Sequence, residues 1–215
     1  RASRIGRAAD RCVRIVQTFL SLARQRPPLR ETIRLHVIVE QVIDILAYQL
    51  RATGIELRRQ FAADLPPTAG DPDQVHQVVM NLVLNALQAM EPLPPGAERV
   101  LTLSTGLGAQ GASLWLEVAD SGPGVTEALR GRIFEPFFTT KEQGKGTGMG
   151  LSFSRAMIEG HGGTLEVVPG PGGARFRITL PWIEADSAEP AAADATPPGA
   201  DARRVLIVDD EAEVA

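Results

Sequence analysis

The chain has 215 residues, of which 44% are apolar and 22% are charged. This length is enough for one sizeable buried core with appendages but too short for two full domains, and the composition excludes a wholly disordered chain. The net charge of −4 argues against a general nucleic-acid binder. The single cysteine, Cys12, excludes an intrachain disulfide, and no apolar run is long enough to span a membrane.

The first predicted element is a helix over residues 1–26. Its apolar residues Ile5, Cys12 and Phe19 recur every seven positions, a spacing suited to packing against another helix. Two prolines end the helix, because proline lacks the N–H donor and clashes with the preceding turn. The alternative interpretation is an ordinary amphipathic surface helix.

Two strands and two helices are predicted in the next part of the chain. A short strand after Glu31 leads into a helix that ends near Leu50, and residues 55–61 alternate as a strand. Asp71 is placed to cap a helix that runs to about Met90, with a proline in its first turn.

The following part combines paired strands with a glycine-rich loop. We expect strands at 100–105, 113–119, 164–168 and 174–180, short helices at 126–132 and 149–159, and the loop at 135–148. Helices interleaved with a mostly antiparallel or mixed sheet predict a two-layer α/β sandwich.

The last residues have a different composition. Residues 184–202 are rich in Ala, Pro and Asp without a large apolar side chain, which predicts a linker. Residues 203–215 then switch to a buried-strand pattern that ends in Asp209 and Asp210. Since the chain opens with Arg and stops inside this new pattern, we expect it to be a piece of a longer protein.

Two asparagines form the first motif that suggests chemistry. Asn81 and Asn85 are four residues apart on the helix after Asp71, so both amides lie on one face. An amide oxygen is a suitable ligand for Mg²⁺ whose other ligands are phosphate oxygens and water. For this motif by itself, we favour the alternative that both amides bond to neighbouring backbone, which would satisfy them on an otherwise apolar helix.

The second motif is a carboxylate at the end of a strand. Asp120 is followed by Gly122 and Gly124, which allow a sharp turn. A carboxylate there can accept a hydrogen bond from the exocyclic amine of adenine, whereas guanine would present a second acceptor. The alternative is an ordinary turn aspartate, since Asp-x-Gly is common in turns.

The third motif is a loop in which glycines alternate, at Gly144, Gly146, Gly148 and Gly150. Such a loop exposes backbone N–H groups, and the following helix start adds partial positive charge, so phosphate is the expected ligand. The chain's two lysines, Lys141 and Lys145, lie in the same stretch. The Walker pattern fails because glycine follows Lys145, and the dinucleotide pattern fails at Met149 and Leu151. The alternative is a flexible glycine loop without a ligand.

Taken in order, these segments resemble the ATP-binding catalytic domain of sensor histidine kinases, within the wider family of gyrase-, Hsp90- and MutL-like ATPases. The sequences that carry the resemblance are NLVLNALQAM, DSGPG, FEPFFTTK and GTGMGL, followed by HGGTLEV and GGARFRITLP. Ordered motifs at family-like spacing are far more specific than any one motif. The resemblance covers residues 28–183 and implies a Bergerat-type fold, in which helices cover one face of a mixed sheet.

The resemblance also implies a role for each matching residue. Asn85 would bind Mg²⁺, Asn81 would help to hold the triphosphate, and Asp120 would bind the adenine amine. Gly122 and Gly124 would shape the adenine pocket. The other ATP-binding residues that it implies are Thr140, Lys141, Gly144, Lys145, Gly146, Thr147, Gly148, Gly150 and Leu151.

Gln88 departs from the family pattern. Many members carry Lys or Arg at this position to reach the phosphates. That contact is therefore in doubt here, and we expect it to pass to Lys141 or Lys145.

The flanking segments extend the resemblance. Residues 1–27 resemble the end of the second helix of a dimerisation hairpin, and residues 203–215 resemble the start of a receiver domain, with Asp209 and Asp210 as its metal-binding pair. Together they suggest a hybrid kinase similar to nitrogen-regulation kinases. The implied partners are the dimerisation domain of the same protein, in a homodimer, and a response regulator or receiver domain. We expect no nucleic-acid partner, no direct membrane contact, and a cytoplasmic location for this part of the protein.

None of the three histidines has the context of a phosphate acceptor. The family's acceptor is followed by an acidic residue, whereas His36, His76 and His161 are followed by Val, Gln and Gly. We expect each to be structural, with His36 in a strand. The acceptor is expected upstream of Arg1, so no catalytic residue is assigned in this chain.

The resemblance implies phosphoryl transfer from ATP to a histidine, and two alternatives stay open. One is a hydrolysing ATPase of the same fold, and the other is a non-catalytic nucleotide sensor. Hydrolysing relatives place Glu where Asn81 stands, and an amide cannot act as the general base that activates water. The intact asparagines, Asp120 and loop glycines argue against the sensor.

Overall fold

The computed structural model describes residues 30–108, 111–141, 146–170 and 172–182. The predicted helix at 1–26, the linker at 184–202 and the receiver-like segment at 203–215 lie outside the described residues, and so do Gly144 and Lys145. Within the described ranges, no helix has the length and apolar content needed to cross a lipid bilayer.

The strands of the described ranges form two sheets. In chain order the strands are β1 (Glu31–Ile33), β2 (Glu56–Gln60), β3 (Thr68–Gly70), β4 (Val100–Leu107), β5 (Ser113–Asp120), β6 (Thr164–Val167) and β7 (Arg175–Pro181). The larger sheet has the order β2-β4-β5-β7-β6. β2 pairs with β4 in parallel and the other neighbours are antiparallel, so the predicted mixed sheet is confirmed.

The smaller sheet joins β1 to β3, a strand that the sequence did not predict. The two run antiparallel, with Glu31 opposite Gly70 and Ile33 opposite Thr68. Three residues are too few to show an alternating pattern, so only the contact with β1 reveals β3 as a strand.

Four helices complete the described part of the fold. They are α1 (Leu35–Ala52), α2 (Pro72–Met90), α3 (Glu127–Arg130) and α4 (Gly150–Gly160). The short helix predicted at 126–132 is present as α3, but it ends two residues earlier than predicted, at Arg130. Gly131 separates α3 from a 3-10 turn at Arg132–Phe134, because glycine is a poor residue for a helix interior.

α2 begins where the sequence predicts. The Asp71 carboxylate accepts hydrogen bonds from the N–H groups of Asp73 and Gln74, both at 3.1 Å, and a proline takes the first helical position. A cap of this kind stabilises a helix by about 1 kcal/mol. The helix buries a face made of Val75, Val78, Val79, Leu82, Val83, Ala86, Leu87 and Met90.

The helices pack on one face of the large sheet. Leu116 of β5 and Ile178 of β7 are fully buried, in one core with the buried face of α2. Because strand side chains alternate, Glu117 lies on the opposite face. There its carboxylate accepts hydrogen bonds from Arg175 at 2.7 Å and Arg177 at 2.8 Å. The predicted two-layer α/β sandwich is confirmed.

Candidate functional site

A cavity of about 390 Å³ lies between α2, the segment before and including Lys141, and the start of α4. The predicted site residues in its wall are Asn81, Asn85, Thr140, Lys141, Gly146, Thr147, Gly148, Gly150 and Leu151. The structure therefore brings together two of the three motifs, which are far apart in sequence.

Asn81 connects α2 to α4. Its Nδ2 donates a hydrogen bond to Ser154 Oγ at 2.9 Å. A Cβ at position 150 would lie 2.5 Å from Asn81 Oδ1, so only glycine fits at the start of α4. This close approach holds the first turn of α4 against the cavity.

Asn85 already contacts a cation in this structure. Its Oδ1 accepts a hydrogen bond from Lys141 Nζ at 3.1 Å. The same ammonium group also donates to Gln88 Oε1, one turn further along α2. Burial lowers the pKa of Lys141 below its ordinary value.

The donor set around Asn85 fits a hard metal ion. Its amide oxygen lies in the cavity wall and accepts a positively charged donor, so the position accommodates a cation. Amide oxygen is an accepted ligand of Mg²⁺, which usually takes few ligands from the protein and the rest from phosphate and water. The described residues contain no group of three or more His, Cys, Asp and Glu side chains placed to hold a metal.

The glycine-rich loop packs closely on the segment that precedes Lys141. Gly148 has φ +68°, and a Cβ there would overlap the backbone of Phe137, which has φ +68° as well. A side chain at position 146 would come 2.8 Å from Thr139 Oγ1. Glycine at both positions therefore lets the backbone line the cavity, with the N-terminus of α4 beside it, an arrangement suited to an anion.

Asp120, Gly122 and Gly124 lie together at the end of β5, but they are not in the wall of the cavity. Asp120 Oδ1 accepts hydrogen bonds from the N–H groups of Gly122 at 2.8 Å and Ala174 at 3.1 Å. Among the described residues, Oδ2 has no hydrogen-bond donor, so it can serve a ligand.

Burial raises the pKa of Asp120 above its ordinary value, against the two backbone hydrogen bonds, which lower it. The side chain is 8% exposed. Gly124 has φ +78° and a Cβ there would lie 3.2 Å from the carbonyl oxygen of Gly173, which explains the glycine at this turn.

Sequence reasoning missed part of the cavity wall. Besides Gln88, which it noted only as a departure, the wall includes Leu84, Ile133, Phe138 and Thr139. Leu84 could have been found from helical spacing, since it lies three residues after Asn81. The other three depend on a loop path that local patterns do not reveal.

The described structure assigns packing contacts to two of the histidines. His36 lies in α1 rather than in the predicted strand. In α1, its Nε2 is 2.7 Å from Thr105 Oγ1 and its ring stacks on Phe61. Burial lowers the pKa of His36, against a smaller opposite effect of Glu40. His161 is buried, and His76 lies on α2 as predicted.

A family model described as histidine kinase-, DNA gyrase B-, and HSP90-like ATPase matches residues 70–184. The chain belongs to this family. The matched range begins next to the Asp71 cap and extends beyond β7, so both the cavity and the Asp120 turn lie inside the ATPase homology.

Two curated relatives in this ATPase family illustrate the match. The sensory histidine kinase/phosphatase NtrB of Escherichia coli O157:H7 is 36% identical over 179 residues, which is 80% of this chain and 49% of the relative. The sensor histidine kinase ZraS of the same organism is 33% identical over 178 residues, which is 82% of this chain and 37% of the relative. The chain thus spans about half the length of such relatives, or less.

Solved structures share the fold. The nucleotide-free catalytic domain of histidine kinase ThkA superposes with a TM-score of 0.61 at 27% identity, over 71% of this chain and 97% of that chain. Full-length ShkA in complex with AMPPNP gives a TM-score of 0.70 at 25% identity, over 83% of this chain and 37% of that chain. The mixed sheet with helices on one face is the fold of histidine kinase catalytic domains.

Proposed function

We propose that this domain binds ATP with Mg²⁺ and donates the γ-phosphoryl group to a histidine of a dimerisation domain in two-component signalling. The observation that carries the proposal is the cavity wall itself, in which the Asn85 amide, the Lys141 ammonium and the loop backbone converge. The named relatives are sensor histidine kinases, and ShkA has been solved with an ATP analogue.

Each group has a distinct role in nucleotide binding. Asp120 Oδ2 accepts the adenine amine, while Oδ1 stays bound to the backbone. Asn85 Oδ1 holds Mg²⁺, and Lys141 faces the phosphates. The N–H groups at the start of α4 face the same anion. When bound, Mg²⁺ offsets the charge of the phosphates.

In phosphoryl transfer, the protein positions the reacting groups and offsets their charge, and it does little covalent chemistry. Asn81 is consistent with transfer rather than hydrolysis, since its Nδ2 is engaged by Ser154 and an amide cannot take a proton from water. A hydrolysing ATPase of the same fold is the alternative that this residue disfavours.

We also propose the partners. In the full protein, residues 1–27 would end a dimerisation hairpin, and the linker at 184–202 would lead to a receiver domain of which residues 203–215 are the start. The protein would work as a homodimer in the cytoplasm. A response regulator or receiver domain would take the phosphoryl group. ThkA, a structural neighbour, has been solved in complex with the response regulator protein TrrA.

The test uses the chain as it stands and a matching dimerisation hairpin supplied separately. The chain alone should bind ATP with Mg²⁺, hydrolyse it slowly and acquire no label from γ-labelled ATP. The hairpin's histidine should acquire label when both proteins are present at high concentration. A high concentration is needed because the tether that raises the effective concentration is absent. Rapid hydrolysis would favour the ATPase, and an acid-labile, base-stable label on the chain alone would mean that His36, His76 or His161 is an acceptor.

A further inference from the structure

The position of Lys141 depends on two amides of α2. Its Nζ donates to Asn85 Oδ1 at 3.1 Å and to Gln88 Oε1, which lie three residues apart on one helix face. The lysine backbone is held too, since its N–H donates to Thr139 Oγ1 at 3.2 Å. A side chain with four rotatable bonds is thus fixed at both ends.

The charges around the cavity show why the position of Lys141 matters. Among the described residues of its wall, Lys141 is the one charged side chain. α2 itself contains neither Lys nor Arg from its first residue to its last. The helix therefore brings amide oxygens to the cavity, and the cation comes from the segment opposite.

We propose that Gln88 is a positioning residue, whose Oε1 holds the Lys141 ammonium in the cavity so that the phosphates of a nucleotide meet a cation already in place. This inference rests on the proposed function and names the residue that orients its phosphate contact. Pre-organised groups bind more tightly because less side-chain freedom is lost when the ligand arrives.

The two amides differ in what happens when a metal ion binds. A cation on Asn85 Oδ1 would share that oxygen with the ammonium, whose Nζ lies 3.1 Å from it, and like charges held on one oxygen repel each other. Asn85 would then exchange the lysine for the metal, and Gln88 would be the remaining side chain that holds Lys141.

The experiment measures equilibrium binding of Mg·ATP and of adenosine to the whole chain and its variants. Gln88→Ala and Lys141→Met should each weaken ATP binding by about ten-fold, the usual effect of losing a hydrogen bond to a charged group. The double variant should bind no more weakly than Lys141→Met, because Gln88 acts through the lysine. Adenosine, which has no phosphate, should bind all variants equally.

A matched control and a relocated charge sharpen the test. Gln77 is exposed on the same helix, outside the cavity wall, and Gln77→Ala should bind like the wild type. The combination Gln88→Lys with Lys141→Met moves the amine onto α2, and it should restore ATP affinity to within about three-fold of the wild type.

Three results would overturn the inference. They are wild-type ATP affinity in Gln88→Ala, an additive loss in the double variant, and an equal loss of adenosine binding, which would indicate damage to the fold. Each leaves the proposed function intact provided that the wild-type chain binds ATP. A wild-type chain that binds no ATP would instead overturn the proposed function and this inference together.

Discussion

Asp120 is a carboxylate whose surroundings disfavour its own charge. It is buried at the end of β5, and burial raises its pKa although two backbone N–H groups bond to Oδ1. A group whose pKa is higher in the folded chain than in the unfolded chain costs folding free energy in its ionised form. That cost is present at neutral pH and disappears as the pH falls through the folded pKa towards the ordinary value. Retaining such a residue makes sense if the charge serves a ligand.

Asp120→Asn should therefore separate binding from stability. ATP binding should weaken by about 1.5–3 kcal/mol, or roughly ten-fold to a hundred-fold, and discrimination against GTP should fall. The melting temperature at neutral pH should rise, because the amide oxygen can still accept both backbone N–H groups without the buried charge. Nucleotide titrations and thermal unfolding measure the two effects.

Glu117→Gln is the control for the sign of the stability change. This carboxylate is also buried, but it is paired with Arg175 and Arg177, so removing its charge should lower the melting temperature. Unchanged ATP affinity in Asp120→Asn would remove Asp120 from the adenine site.

Asn85→Ala should abolish the effect of Mg²⁺ on nucleotide binding. The amide oxygen that now contacts Lys141 is the metal ligand that we propose, and alanine offers no replacement. ATP affinity is measured with Mg²⁺ and with a chelator, in the variant and in the wild type. A variant that keeps the full wild-type effect of Mg²⁺ would mean that the metal is held elsewhere. The control variant Gln77→Ala, on the same helix, should show the wild-type effect of Mg²⁺ on ATP affinity.

At the scale of elements, His161 joins the end of α4 to the start of α2. Its Nδ1 is 2.7 Å from the carbonyl oxygen of Met157, and its Nε2 accepts a hydrogen bond from the N–H of Asp71 at 2.9 Å. Since Nε2 is an acceptor, the proton lies on Nδ1 and is donated to Met157. The histidine thus connects α4 with the residue that caps the helix of Asn81 and Asn85.

His161→Ala should lower the free energy of unfolding by about 2–4 kcal/mol, because it opens a cavity where the buried ring lies and removes the partner of two half-buried backbone groups. Denaturant unfolding measures this change. His76→Ala, on half-buried His76 of α2, serves as the comparison and should cost less than 1 kcal/mol. An equal loss of unfolding free energy in the two variants would show that the His161 contacts stabilise the fold no more than those of His76.

At the scale of the whole molecule, the site is part of the hydrophobic core that the described residues form. α2 packs against α1, α4 and β5, and it also carries both asparagines, so a ligand in the cavity contacts an element of that core. Binding should therefore stabilise the domain as one unit rather than one loop.

Mg·ATP at a hundred times its dissociation constant should add about 2.7 kcal/mol to the free energy of unfolding. Thermal unfolding should show one transition at a higher temperature. GTP at the same concentration should give a smaller shift, because guanine does not offer its amine to Asp120. Equal shifts with both nucleotides would contradict the assigned role of Asp120.

Much of this protein could be predicted from the sequence because the signals are local. The Asp71 cap and the apolar period give α2, and alternation indicates strands of the large sheet. The motifs that contain Asn81, Asp120 and the loop glycines, taken in order, carry the resemblance to the family. Proline and glycine mark the ends of these elements.

The tertiary structure decided what depends on residues far apart in the chain. Local sequence could not show that Gln88 holds Lys141, that Asp120 lies outside the cavity wall, or that His161 bonds to Asp71. It also missed β3, which is a strand only because β1 pairs with it. The physical reason is the same in each case. Residue type and spacing fix what a segment prefers, whereas the partner of a side chain is fixed by the packing of the core that brings two segments together.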